Sequence, residues 1–139
     1  MYKYFETTAD IGIIVEEDSL EKAFEESAKA LSNLMVDIHS IDKKVKRKII
    51  IHSEDLYGLL YDFLTNLLII LDSEGIIFSD YNIKIYNNNG EYILECMAYG
   101  EKLDKEKHSP KMEIKAITYH KMEIKKENGK NIIKYIVDI

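Results

Sequence analysis

The stretch Lys111-Met-Glu-Ile-Lys-Ala-Ile-Thr-Tyr-His-Lys-Met-Glu-Ile-Lys-Lys126, then Glu127-Asn128-Gly129, then Lys130-Asn-Ile-Ile-Lys-Tyr-Ile-Val-Asp-Ile139, decides the fold class. Asn-Gly between two β-rich runs is the strongest short-range signal for a hairpin, because both residues tolerate the positive φ that a tight turn requires. Along the first arm Met112, Ile114, Ala116, Thr118, His120, Met122 and Ile124 alternate with Glu113, Lys115, Ile117, Tyr119, Lys121, Glu123 and Lys125. That alternation predicts a strand with one mainly apolar and one mixed face. Ile76 to Asn87 and Glu91 to Gly100 flank Asn87-Asn88-Asn89-Gly90 in the same manner, so the second half of the chain is predicted to be antiparallel sheet.

Further upstream the period changes. Leu56, Tyr57, Leu59, Leu60, Phe63, Leu64, Leu67, Leu68, Ile69, Ile70 and Leu71 follow Ser53, a candidate cap for a helix starting at Glu54 and stopping at Gly75. A helix apolar on nearly every side is predicted to lie in the middle of the domain, largely buried. An earlier helix carries Leu20, Phe24, Ser27, Leu31, Leu34 and Met35 on one face and Glu21, Lys22, Glu25, Glu26 and Lys29 on the other. Asp18 with Glu21 reads as its capping box. Val45 to His52 reads as a strand between the helices, and Tyr2 to Phe5 and Ile11 to Glu16 as two short strands at the start. The order β-β-α-β-α-β-β-β-β lacks steady strand-helix alternation. It predicts an α+β single domain over residues 1–139, with antiparallel sheet layers packed on two helices.

The composition narrows the function. With 139 residues, 46% of them hydrophobic and 32% charged, the chain is a one-domain globular protein rather than a disordered one. Nineteen Lys and Arg against 25 Asp and Glu give a net charge of −6. Arg47 is the only arginine, which argues against strong direct nucleic-acid binding, since phosphate recognition favours a basic, arginine-rich face. No uninterrupted apolar run nears the ~18 residues of a membrane span, and Met1-Tyr-Lys-Tyr-Phe-Glu6 does not resemble an export signal. The single cysteine, Cys96, is predicted to be a small core hydrophobe, and a reducing cytoplasm is the expected location.

Catalytic signatures are missing: there is no glycine-rich phosphate loop, His-Glu-x-x-His, Cys-x-x-Cys or Gly-x-Ser-x-Gly. His39, His52, His108 and His120 are scattered and read as surface or core-edge residues. The basic run Lys43-Lys44-Val45-Lys46-Arg47-Lys48 reads as a solvated strand face, a candidate for docking only. Asp10 stands between two strands, where a short carboxylate either closes a turn or projects into a site. Asp138 and the α-carboxylate of Ile139 are neighbouring anions, whose natural counter-ion is a hard divalent cation. Lys115 falls within a strand on the mixed face, where a lysine commonly snorkels from an edge.

Taken together, Phe5-Glu-Thr-Thr-Ala-Asp-Ile-Gly12, the leucine-rich helix after Ser53-Glu-Asp-Leu56, the stretch Gly100-Glu-Lys-Leu-Asp104 to His108, Glu113-Ile-Lys-Ala-Ile-Thr-Tyr-His120 and Val137-Asp-Ile139 resemble the archease family, in order and over essentially the whole chain. The family usually has His-Thr-Ala-Asp where this chain has Thr7-Thr8-Ala9-Asp10. The resemblance implies a non-enzymatic accessory activator of the GTP-dependent tRNA-splicing ligase, which joins RNA halves through a guanylylated histidine. Its role is to promote guanylylation and multiple turnover. It also implies a metal ion, usually calcium with magnesium or manganese as alternatives, held at Asp10, Asp138 and Ile139. Lys115 and Asp10 are implied to activate the partner, Lys115 by pairing with a phosphate or acidic group. Two other readings remain: a small metal-dependent phosphoester hydrolase, and a general chaperone or modulator of RNA-modifying enzymes.

Overall fold

The computed structural model describes residues Met1–Ile139. In chain order the elements are β1 (Tyr2–Glu6), β2 (Asp10–Glu17), α1 (Leu20–Met35), a 3₁₀ turn (Ile38–Ser40), β3 (Val45–Ser53), α2 (Leu56–Glu74), β4 (Ile76–Asn88), β5 (Glu91–Lys102), a one-turn helix α3 (Lys105–His108), β6 (Ala116–Glu127) and β7 (Lys130–Asp138). They form two antiparallel sheets, ordered β1-β2-β7-β6 and β3-β5-β4. Helix α1 packs on β2 and β7 of the first sheet and β4 of the second, while α2 packs on β6 of the first and all three strands of the second. The helices thus join the two sheets around one core that includes Phe24, Leu31, Phe63, Leu64, Leu94 and Tyr135. Buried hydroxyls lock the layers, with Tyr135 Oη donating to Ser27 O at 2.7 Å and Ser32 Oγ 2.7 Å from Tyr81 Oη.

The α+β class, both Asn-Gly-type turns and the Gly75 stop are as the sequence predicts, with Gly75 at φ 70° and its N–H closing on Leu71 O. Several local expectations are corrected. The cap of α1 is Ser19, whose Oγ accepts from Lys22 N at 3.1 Å, because Asp18 is drawn away to an ion pair with Lys130. Asp55 rather than Ser53 caps α2, Oδ1 accepting from Gly58 N at 2.7 Å. Glu25 does not face water alone: its Oε2 accepts from the main-chain N–H of Ile83 at 2.8 Å, and burial raises its carboxyl pKa.

Helix α2 is less enclosed than predicted. Leu59, Leu60, Phe63, Leu64, Leu67 and Ile70 are buried, but Ile69 is 56% exposed and Tyr57 42% exposed. At 19 residues and mean hydropathy 1.3 it is long and apolar enough to cross a membrane by composition, and a third of that apolar window is buried inside this domain. The last correction is to β6, which starts at Ala116 rather than Lys111. Between Thr118 and Glu123 its pairing with β7 slips at a bulge where Lys121 takes φ 55°. The bulge resets the alternation, so Ile117 is buried at 2% exposure, not on an open mixed face, and Met122 is buried after it.

Candidate functional site

Three strand ends meet at one corner of the four-stranded sheet. Asp10, first residue of β2, is the direct cross-strand partner of Asp138, last residue of β7, and Asp138 is also the partner of Ala116, first residue of β6. Directly opposed residues in antiparallel strands hold their Cβ atoms about 5 Å apart, so the register alone brings the two carboxylates together. Lys115 precedes β6 and its main-chain N–H donates to Asp138 O at 2.8 Å, which fixes it at the same corner. Ile139 follows Asp138, 37% exposed. The main chains of all four residues picked out in the sequence therefore meet at this corner, although Lys115 lies just outside the strand in which the sequence places it and Ala116, not Lys115, stands opposite Asp138.

The turn behind the corner is stiffened locally. Thr7 N donates to Asp10 O at 3.2 Å and Asp10 N donates to Thr7 Oγ1 at 3.2 Å, so the threonine closes the turn onto Asp10. The ring of Phe5 lies over Gly12, where a Cβ would come within 2.0 Å of it, and Lys134 Nζ sits 5.1 Å above the same ring. The side chains of Asp10, Lys115 and Asp138 enter no ion pair within the chain. They are a cation and a pair of anions held on rigid backbone and left without intramolecular partners.

A second charged constellation went unseen in the sequence. Glu101 on β5 is 5% exposed and accepts from Asp42 N at 2.6 Å, from Lys107 Nζ at 2.8 Å and from His108 Nε2 at 3.0 Å. His108, read as scattered, is 2% exposed, and its Nδ1 accepts from Asp104 N at 2.9 Å. With Nδ1 an acceptor, the ring proton is on Nε2 and points at Glu101. Lys107 also pairs with Asp42 at 2.7 Å, an ion pair that with Glu101 raises its pKa. The Asp42 N–H and the Lys107 ammonium are the main causes that lower the Glu101 carboxyl to about 2. The signal that would have found this network is Asp104 four residues before His108, one helical turn apart and beside Glu101 in sequence.

The other candidates resolve as ordinary structure. Arg47 forks onto Glu74 at 2.8 and 2.9 Å, Lys43 pairs with Asp80, Lys44 with Glu101 and Lys48 with Glu95, so the basic run is largely neutralised within the chain. Cys96 is 2% exposed, and burial raises its thiol to about 12, far from a reactive thiolate.

The structure is thus a two-sheet α+β domain with two carboxylates opposed across β2 and β7 at one open sheet corner. The chain belongs to the archease family: the model of the archease protein family (MTH1598/TM1083) matches residues 2–139. It is 48% identical to the protein archease of Pyrococcus furiosus, the match covering 99% of this chain and 98% of that one. The solution structure of Methanobacterium thermoautotrophicum protein 1598 superposes with a TM-score of 0.88 at 37% identity, covering 99% and 98% of the two chains. A Thermotoga maritima protein described as an archease and possible chaperone shares the fold at a TM-score of 0.59 and 20% identity, covering 100% of this chain and 98% of its own.

Proposed function

We propose that this protein is a non-enzymatic activator of the GTP-dependent tRNA-splicing ligase, acting in the cytoplasm to promote the ligase's guanylylation and multiple turnover. The observation that supports this reading is the register joining Asp10, Asp138 and Lys115 at one corner while leaving their charges unpaired. The donor chemistry there suits a hard divalent cation: two carboxylates and the main-chain oxygen of Ile139 are all oxygen ligands. No three His, Cys, Asp or Glu side chains converge, so the protein supplies only part of a coordination shell. Asp10, Asp138 and Ile139 would hold calcium, with magnesium or manganese the other hard ions of that chemistry. When bound, the ion supplies positive charge at the corner.

Lys115 adds an ammonium on the same edge, held by the bond from its own N–H to Asp138 O. Its role is to meet a phosphate or carboxylate of the ligase during nucleotide transfer, as a point charge of fixed position. Direct grip on RNA is not required, in keeping with a net charge of −6.

The test is a reconstituted joining assay with ligase, RNA halves and GTP. The protein alone should join nothing, and at substoichiometric amounts it should raise the ligase's multiple-turnover rate. Phosphoester hydrolysis by the purified protein would replace this reading with the metal-dependent hydrolase. Equal stimulation of unrelated RNA-modifying enzymes would replace it with a general chaperone.

A further inference from the structure

Lys115 also lines an open groove of about 960 Å³, walled on one side by α2 and on the other by the segment running from α3 into β6. Twelve of its 19 lining residues are hydrophobic. The volume and apolar lining are those of a binding groove rather than a packing defect. Among the lining residues, Ile69 is the most exposed hydrophobic, at 56%.

Three polar features show what would fit. The main chain of Met112, Glu113 and Ile114 donates no hydrogen bond, although both ends of this segment are pinned, Lys111 N to Met35 O and Lys115 N to Asp138 O, each at 2.8 Å. It leads into β6, the outermost strand of its sheet, so it is a stretch held at both ends, with free donors, beside an apolar trough. The hydroxyl of Thr65, on the facing helix, is out of solvent and has no hydrogen-bond partner. Lys105, Lys111 and Lys115 line the groove on the segment's side against two acids, Glu113 on the same side and Asp72 on α2, and none of the three lysines forms an ion pair within the chain.

We infer that this groove receives an extended, apolar segment of the partner ligase, flanked by acidic residues, that adds to the sheet edge at Met112–Ile114. Apolar side chains would fill the trough over Ile69 and Leu68, main-chain groups would pair with the free donors, and the flanking acids would face Lys105 and Lys111. Lys115 belongs to both groove and corner, so seating the segment carries the corner to the ligase's reacting groups. The inference rests on the ligase reading above and names the contact by which it is achieved.

The experiment measures binding of full-length protein to purified ligase by titration calorimetry, with joining activity followed in parallel. Ile69→Asp is exposed on α2 and Lys111→Glu is exposed on the segment, so both should fold with unchanged melting. The inference expects Ile69→Asp to weaken binding by at least ~10-fold. It expects Lys111→Glu to weaken binding by a few-fold and to flatten its salt dependence. If the native protein binds and activates while both variants match it, the groove is not the contact and the activator reading stands. If the native protein neither binds nor activates, both fall. If sedimentation shows a dimer that Ile69→Asp dissolves, the groove holds a second copy of this chain and the inference is overturned.

Discussion

The protein carries two clusters of charge that differ in how they are answered. Around Glu101 every charge has a partner from the chain itself: the carboxylate takes an N–H, an ammonium and an imidazole proton, and Lys107 bridges it to Asp42. At the sheet corner Asp10, Asp138 and Lys115 are held as firmly by backbone, yet their charged atoms face no partner. Burying a charge is tolerable only when it is paired, so the first cluster holds the fold together. The second cluster gains nothing from the chain itself, and it is the one that the proposed activator would use.

The sharpest break of this comparison is Glu101→Ala. It leaves Asp42 N and buried His108 Nε2 without their acceptor, while Lys107 keeps Asp42, and orphaning a buried donor costs about 1 to 3 kcal/mol. Urea unfolding should show that loss, and a change below ~1 kcal/mol would mean the cluster is ornamental. The pH profile follows with its sign. The folded carboxyl lies at about 2 against an ordinary 4.5, so its stabilisation is fully present above about 4.5 and is lost as pH falls from there toward 2. Glu101→Gln should flatten that part of the acid-unfolding curve. An unchanged curve would place the acid sensitivity elsewhere.

How much of this was legible in the sequence follows from the range of the forces involved. Helix α1, the two long hairpins and the Gly75 stop were readable, because periodicity and positive-φ turns are local. The α1 cap lies one residue beyond Asp18, which pairs instead with Lys130, over a hundred residues away in sequence. Ile117 was assigned to the wrong face because one residue at positive φ, Lys121, inverts the pleat, and nothing in a lysine announces that. Asp10, Asp138 and Lys115 were found as separate hints, and only the β2-β7-β6 register makes them one corner. The Glu101 network stayed hidden because its third element, the Asp42 N–H, comes from a loop 59 positions away.

A smaller effect sharpens the contrast at Thr7. Thr7→Val keeps the size and removes the hydroxyl that accepts from Asp10 N, a single exposed hydrogen bond. Loss of one such bond costs about 0.5 to 1 kcal/mol. Calcium binding should weaken along with it, since the turn that aims Asp10 loosens, and Thr7→Ser should restore both. If Thr7→Val binds calcium as the native protein does, the turn does not aim the carboxylate.

The smallest expected change in stability belongs to the corner itself, and there smallness is the diagnostic. Asp138→Asn removes a charge with no intramolecular partner from an exposed strand end, while the main-chain O that receives Lys115 N is untouched, so unfolding should shift by less than ~0.5 kcal/mol. Because Asp10 and Asp138 repel each other, the variant is more prone to be slightly stabilised than destabilised. Calorimetry with Ca²⁺ should nevertheless show at least a tenfold loss of affinity, since one of two carboxylate ligands has become a neutral amide. Lys115→Ala should leave both fold and calcium binding alone and remove only the gain in ligase turnover. Dependence of folding on Asp138 equal to that on Glu101 would erase the distinction between the clusters, and the corner would then be one more internal ion-pair network rather than a surface kept for a partner.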